Sequence, residues 1–288
     1  MRSRISAIAL MAALLGGCQY PGELLSQPPS STEVGASISE LLSLPAPEEA
    51  LVVAVYDFPD LTGQFKPSDA VTTYSRAVTQ GGSMILVKAL RDAGQGRWFR
   101  LIERKGLDHL AKERQIIREM RAAYNGQKAQ PLPPVLYAGL LIEGGIVGFD
   151  ANTLTGGAGA RYLGIGGSTE YRQDSVTVYA NAVSTQTGEI LKTVMARKTI
   201  FSVQLQGGAF KFIDFNDLLE VEAGFSINEP GQIAMQQAVE HLVRALVVEG
   251  AMEGLWRFKD EAAGDVAIQR YMAEKGGVKL AAEQTAQQ

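Results

Sequence analysis

The sequence predicts an α+β protein in which an α/β core feeds two amphipathic β-hairpins. Three observations carry that reading. Strand-like and helix-like patterns succeed one another from Leu51 to Leu246, as a sheet with helices packed on it requires. Two later stretches change to alternation of apolar and polar residues. In one, Phe201, Val203 and Leu205 share a face against Ser202, Gln204 and Gln206. After a Gly207-Gly208 break and the stretch Phe210 to Asp214, Leu219, Val221, Ala223 and Phe225 share a face against Glu220 and Glu222. The earlier stretch sets Leu163, Ile165, Thr169 and Tyr171 against Ser168, Glu170, Arg172 and Asp174. Finally, nine of the 31 glycines lie between Gly144 and Gly167, so the glycine excess is local.

An amphipathic hairpin has two readings. In transmembrane β-structure the apolar face meets lipid and the polar face meets a lumen. In a soluble domain the apolar face meets the core of a half-buried sheet. Alternation does not separate them. Each hairpin leaves and re-enters the same small sheet, an excursion that serves a soluble protein little.

In chain order, residues 1–17 read as a cleaved signal. Arg2 and Arg4 form a basic start, and Ile5 to Leu15 is an apolar run too short to span as a helix. Leu15-Gly16-Gly17-Cys18 then matches a bacterial lipoprotein processing box, with Cys18 as the residue that takes a diacylglyceryl group and an N-acyl chain. Several chains together give stable anchoring. Gln19 follows, and outer-membrane sorting is the default. Residues 18–47 carry Pro21, Pro28, Pro29, Pro45 and Pro47 and read as a lipidated tether.

The α/β domain is expected over 48–148, 175–197 and 226–258, with hairpins at 149–174 and 198–225. Leu51 to Phe58 is a buried strand stopped by Pro59. Thr62 to Gln80 has no period and reads as a long, functional loop. Ser83 to Ala93 is a helix with Met84, Leu86, Val87 and Leu90 on its apolar side, and Trp98 to Glu103 is a short strand. Leu107, Leu110, Ile117, Met120 and Tyr124 space a long helix. Tyr137 to Phe149 leads into the first hairpin. Val176 to Val183 and Ile190 to Ala196 flank a turn at Thr187-Gly188-Glu189. Asn228-Glu229-Pro230 starts a helix with Met235, Val239, Leu242 and Leu246 as its buried stripe. Residues 259–288 are polar and Ala-rich and read as a flexible tail.

The formal charge is −4, and −6 without the two arginines of residues 1–17, which argues against a nucleic-acid partner. A single cysteine excludes an internal disulfide and any multi-cysteine metal site. His109 and His241 fall on separate helices without a His-Glu-x-x-His pair, so no metal is expected. There is no Gly-x-Ser-x-Gly elbow, and Gly164-x-Gly166 is followed by Thr169 where a dinucleotide fingerprint needs Gly. No catalytic constellation is present in the sequence.

An ordered set of blocks resembles the curli secretion channel lipoprotein family of Gram-negative outer membranes. These blocks are Leu44 to Pro47, Thr62 to Pro67, Gly159 to Gly166, Thr187 to Leu191, Phe210 to Asp214, Asn228 to Pro230 and Gly254 to Trp256, and they span nearly the whole mature chain. The resemblance implies two hairpins per subunit given to a transmembrane β-barrel shared by a ring homo-oligomer of nine. The resulting barrel of about 36 strands is the largest size known, and the resemblance supplies that count. It also implies a periplasmic α/β vestibule, a narrow constriction built by loops, and unfolded curli subunits as cargo moved without nucleotide. Periplasmic and surface curli accessory proteins and outer-membrane lipid are the other implied partners.

On that resemblance, Leu163, Ile165, Tyr171, Phe201, Val203, Leu205, Leu219, Val221 and Phe225 face lipid. Glu170, Arg172, Asp174, Gln204, Gln206, Glu220 and Glu222 face the lumen. The constriction maps to the loop after Lys66-Pro67. The family shows an aromatic soon after the proline and then Asn-Phe-Ser-Thr-Ala-Val. Here Tyr74 takes the Phe place and Thr73 the Asn place, whereas Ser68 or Asp69 stands where the first aromatic belongs, and the loop is one residue longer. The rival reading is a monomeric periplasmic lipoprotein that regulates a cell-envelope enzyme, its hairpins folded back as extra sheet.

Overall fold

A parallel pair of short apolar strands begins the sheet, and long antiparallel strands extend it. β1 (Leu51–Val55) lies between β2 (Phe99–Ile102) and β3 (Leu140–Thr155), parallel to both. β4 (Glu170–Ser184), β5 (Ile190–Leu205) and β6 (Ala209–Ile213) follow antiparallel, giving the order β2-β1-β3-β4-β5-β6. This computed structural model describes residues 36–63, 79–126, 130–155, 170–205, 209–213 and 230–285. Its described helices are α1 (Ala36–Leu42), α2 (Gly82–Asp92), α3 (Leu107–Asn125), α4 (Pro230–Met252) and α5 (Glu261–Thr285). The architecture is α+β with one mixed sheet.

The core forms where α4 lies over β4 and β5. Met235, Val239, Leu242, Val243, Leu246 and Val247 of α4 are buried with Val176, Val178, Ala180, Ala182, Val194 and Ala196 of the sheet. Small alanines on the strands let the helix approach closely, so its large side chains fill the gap. Near its end Gly250 makes room for an indole: a Cβ there would sit 2.0 Å from Trp256, whose Nε1 donates to the Val247 carbonyl at 2.7 Å.

The structure corrects several sequence expectations. The strand at Leu51 ends at Val55; Phe58 is still buried, but residues 56–59 have no ladder pairing. Met84 is 68% exposed, because it lies about 200° around the helix from Leu86, and the buried stripe is Gly82, Leu86, Ala89 and Leu90. The apolar stripe of α3 is also uncovered: Leu107, Ile117 and Met120 are exposed, and Tyr124 is 80% exposed. Its 3.6-residue period reports a need for an apolar neighbour, not that the same chain supplies one. What holds α3 is its return segment, where Arg121 and Arg114 donate to the carbonyls of Gln130 and Pro133 at 3.1 and 2.6 Å, and Arg104 to Leu136 at 2.7 Å.

Residues 36–47 and 261–285 are more ordered than their composition predicts. The tether expectation ran to residue 47, but α1 occupies its last part and buries Ile38, Leu41 and Leu44, an apolar set hidden among Ser and Pro. The flexible-tail expectation for 259–288 is overturned by α5. Asp260 caps that helix by accepting from the Ala263 amide at 3.1 Å, alanine is the best helix former, and Tyr271 is 4% exposed against α4.

Candidate functional site

Two features meet at the far edge of the core: strands that outrun it, and a loop anchored beside them. β3, β4 and β5 do not leave the sheet and return; each runs unbroken from the core outward. Thr155 pairs with Glu170 at the outermost described rung of the first hairpin. In the second, Leu205 pairs with Ala209 and Phe201 with Ile213. The stretch from Phe210 to Ile213, expected to precede the return of alternation, is itself paired, and the alternating residues Leu219 to Phe225 lie outside the described residues.

The register of β4 on β5 has no shift from Glu170 to Ala182. One column therefore runs through Val178–Ala196, Val176–Lys198, Asp174–Ile200, Arg172–Ser202 and Glu170–Gln204, and the other through Tyr179–Met195, Thr177–Arg197, Gln173–Phe201 and Tyr171–Val203. Under α4 the first column is the buried one: Val176, Val178, Ala196 and Ile200 are in the core, while Met195 of the second is 65% exposed. Past Ile200 the sequence reverses. The first column becomes Arg172, Ser202, Glu170 and Gln204, and the second becomes Phe201, Tyr171, Val203 and Leu205. A bulge would explain such an inversion by turning the strand over, but this register contains none here. By sequence and register, one apolar set occupies the helix-side column and, further out, a second set occupies the other column.

Among the described residues the helix cover stops at about this point. The N-terminal turn of α4 brings Gly231 against the ring of Phe149, a buried residue of β3. From there β3 continues to Thr155 and β4 to Glu170, six residues past Phe149 and Val176, or roughly 20 Å at about 3.4 Å per residue. A polar girdle crosses the three strands at this boundary. Ser175 is buried and accepts from Arg197 Nε at 2.7 Å and from Thr199 Oγ1 at 3.2 Å, and Arg197 reaches Asp150 at 3.4 Å. Asp174, expected on an open lumen face, is instead fully buried, because it shares the helix-side column with Val176 and Ile200.

The loop base is built on glycines and one aspartate. The chain after β1 lies along β3, with the Leu61 amide donating to Ile146 O at 2.9 Å and the Ile146 amide to Pro59 O at 3.0 Å. Only glycine permits this closeness: a Cβ on Gly144 would be 2.1 Å from the Tyr179 carbonyl, and one on Gly145 2.8 Å from that of Pro59. Asp60 then ties both ends of the loop. Its Oδ1 accepts from the Thr62 amide at 2.9 Å and the Thr62 hydroxyl at 2.6 Å, and its Oδ2 from Gln80 Nε2 at 3.4 Å. Sequence reasoning missed Asp60; the signal available was an Asp-x-Thr spacing, which favours a local side-chain turn.

Of the sequence-predicted site residues, Cys18, Ser68, Asp69, Thr73, Tyr74, Leu163, Ile165, Gln206, Leu219, Glu220, Val221, Glu222 and Phe225 lie outside the described residues. Tyr171, Phe201, Val203, Leu205, Glu170, Arg172 and Gln204 are placed by backbone register as given above. Among the described residues there is no group of three His, Cys, Asp or Glu that could hold a metal ion, and no helix long and apolar enough to cross a membrane.

Buried charge gathers on α4, away from the hairpins. Glu240 accepts from Ser37 of α1 and, at 3.0 Å, from Gln236; burial raises its carboxyl pKa against those bonds. Burial likewise raises Glu40, although Arg244 Nη1 lies 2.6 Å away and favours its ionised form. Glu240 is thus held by Ser37 and Gln236, and Glu40 by Arg244.

A profile of the family Curli production assembly/transport component CsgG matches residues 34–275. A relative from Salmonella typhimurium described in the same words is 40% identical over 259 residues, covering 88% of this chain and 91% of its own. The relative from Escherichia coli K12 is 41% identical over 253 residues, covering 86% and 89%. Among solved structures, a PelC dodecamer from Paraburkholderia phytofirmans aligns over 70% of this chain and 91% of its own at 12% identity, with a TM-score of 0.28, too low to carry any inference.

Proposed function

This chain belongs to the CsgG family of curli production assembly/transport components, and on that premise we propose that it is the outer-membrane channel through which unfolded curli subunits leave the cell. The observation that carries this reading is the inversion of polarity along β4 and β5. A second apolar face beyond the reach of α4 needs an apolar environment from outside the domain, and lipid is the one that fits a β-hairpin whose other face is polar. A single pair of hairpins cannot close a barrel, so the reading requires a ring of copies, nine by the family resemblance, with Cys18 lipidated as the anchor. Family membership does not favour the rival enzyme-regulating lipoprotein.

In this reading each subunit holds one loop at the barrel mouth. Asp60 fixes the loop ends against β3, the strand that also begins the first hairpin. Loops held alike around a ring form a collar, in which Tyr74 offers an aromatic face, Thr73 a hydroxyl, and Ser68 or Asp69 the remaining polar position. Weak contacts of this kind let an extended chain slide without a deep well, and no nucleotide is required.

Single-channel conductance of the purified ring in planar bilayers tests the constriction. Tyr74→Ala raises conductance at normal ring yield if Tyr74 lines the pore. If Tyr74 is instead a core side chain, the change costs on the order of 3–5 kcal/mol and lowers ring yield. Unchanged conductance at normal yield defeats the role of Tyr74 and moves the constriction to Ser68 and Asp69. The channel reading itself fails if the lipidated protein is a monomer that stays in solution without detergent.

A further inference from the structure

The C-terminal helix α5 is held on α4 by two ionic clusters with an aromatic contact between them. Arg244, 5% exposed at its side chain, donates to Glu40 Oε2 of α1 at 2.6 Å and to Glu274 of α5 through both Nη atoms, one at 3.1 Å. Further along α4, Glu249 accepts from the Tyr271 hydroxyl at 2.6 Å and from Lys275 Nζ at 2.7 Å, and pairs with Lys192 of β5 at 3.0 Å. Between the clusters the ring of His241 lies near-parallel to that of Tyr271, with centroids 6.2 Å apart, and the Arg244 guanidinium sits 5.6 Å from the same ring. The attachment therefore depends on two ionised carboxylates, Glu249 and Glu274, and on an imidazole that carries no charge beside Arg244.

We infer that α5 is a latch that mild acid releases while α1, α4 and the sheet stay folded. The groups facing His241 are Arg244 and Glu249 from its own helix, Tyr271 and Glu274 from α5, and Lys198 from β5. Burial first, and then Arg244 and Lys198, hold its pKa below the ordinary value; Glu274 and Glu249 pull the other way without winning. A histidine whose folded pKa is depressed contributes stability above its unfolded value, and that contribution is lost as pH falls. The carboxylates follow at lower pH. Burial opposes ionisation of Glu249, but Lys275, Tyr271 and Lys192 together hold it at about 2, and Arg244 outweighs burial at Glu274. Both lose their contribution only below the usual carboxylate range, so His241 acts first. The α1 side responds in the opposite sense. Glu40 and Glu240 are pushed up by burial, so taking up protons favours rather than opposes the folded state.

Amide hydrogen exchange of the full-length protein in detergent, corrected for intrinsic rates, tests this at about pH 7.5 and about pH 5.5, on either side of the histidine value. Residues 261–276 should lose several-fold and at most about tenfold protection at the lower pH, the limit that one histidine can supply over this interval, while residues 36–42 and 230–252 keep theirs. His241→Phe keeps the ring stack and cannot take a proton, so most of that loss should disappear. If His241→Phe does not assemble, His241→Gln gives the same comparison. Equal protection of 261–276 at both pH values overturns the latch. So does an undiminished loss in the histidine variant, or opening of α1 and α4 together with α5.

Discussion

The inner and outer halves of β4 and β5 share one pleat and one register yet present their apolar residues on opposite sides. Inside, Val176, Val178, Val194 and Ala196 turn toward α4, and Met195 faces out. Outside, Arg172 and Gln204 continue the column of Val178 and Ala196, while Val203 and Tyr171 continue that of Met195. A helix covers only one side of a sheet, so the inner half has a single apolar face whose direction α4 sets. The outer half has no described helix over it, and its apolar side is set by whatever surrounds the hairpins. The polar girdle of Ser175, Arg197, Thr199 and Asp150 sits where one rule hands over to the other.

Four lysine substitutions can break that comparison. The largest effect belongs to Val178→Lys, which places an ammonium in the α4-facing core and should cost several kcal/mol, leaving little folded chain by circular dichroism or protease resistance. Next comes Val203→Lys, at roughly 2–4 kcal/mol per subunit near a bilayer midplane. Because every subunit in a ring carries the change, ring yield in detergent should collapse although the α/β domain folds. Gln204→Lys, in the same column as Val178 but in the outer half, should alter ring yield little. Smallest is Met195→Lys: this side chain shares a column with Val203 but is exposed in the inner half, so chain stability should move by no more than about 0.5 kcal/mol in denaturant titration. If Val203→Lys and Gln204→Lys assemble equally well, the outer half has no lipid face. If Val178→Lys folds normally, the inner column is misassigned.

Sequence alone determined the mixed α/β order, the apolar stripe of α4 and the strands on either side of the Thr187-Gly188-Glu189 turn. All of these are local patterns: a period of two or 3.6, a cap, a turn residue, or a short motif. The sequence also held the inversion between Asp174 and Val176 and between Ile200 and Phe201, since each apolar set is legible on its own. Whether the two sets lie on one side of the strand or on both required a register with no bulge, which depends on pairing between distant segments. Only tertiary structure decided that α3 leaves its stripe uncovered, that Asp174 is buried and that the Ala-rich end docks through Tyr271. The same holds for Asp60, which joins Thr62 and Gln80 across the loop. Periodicity states which residues need an apolar or charged neighbour. The neighbour itself is supplied by chain from elsewhere, and no local pattern names it.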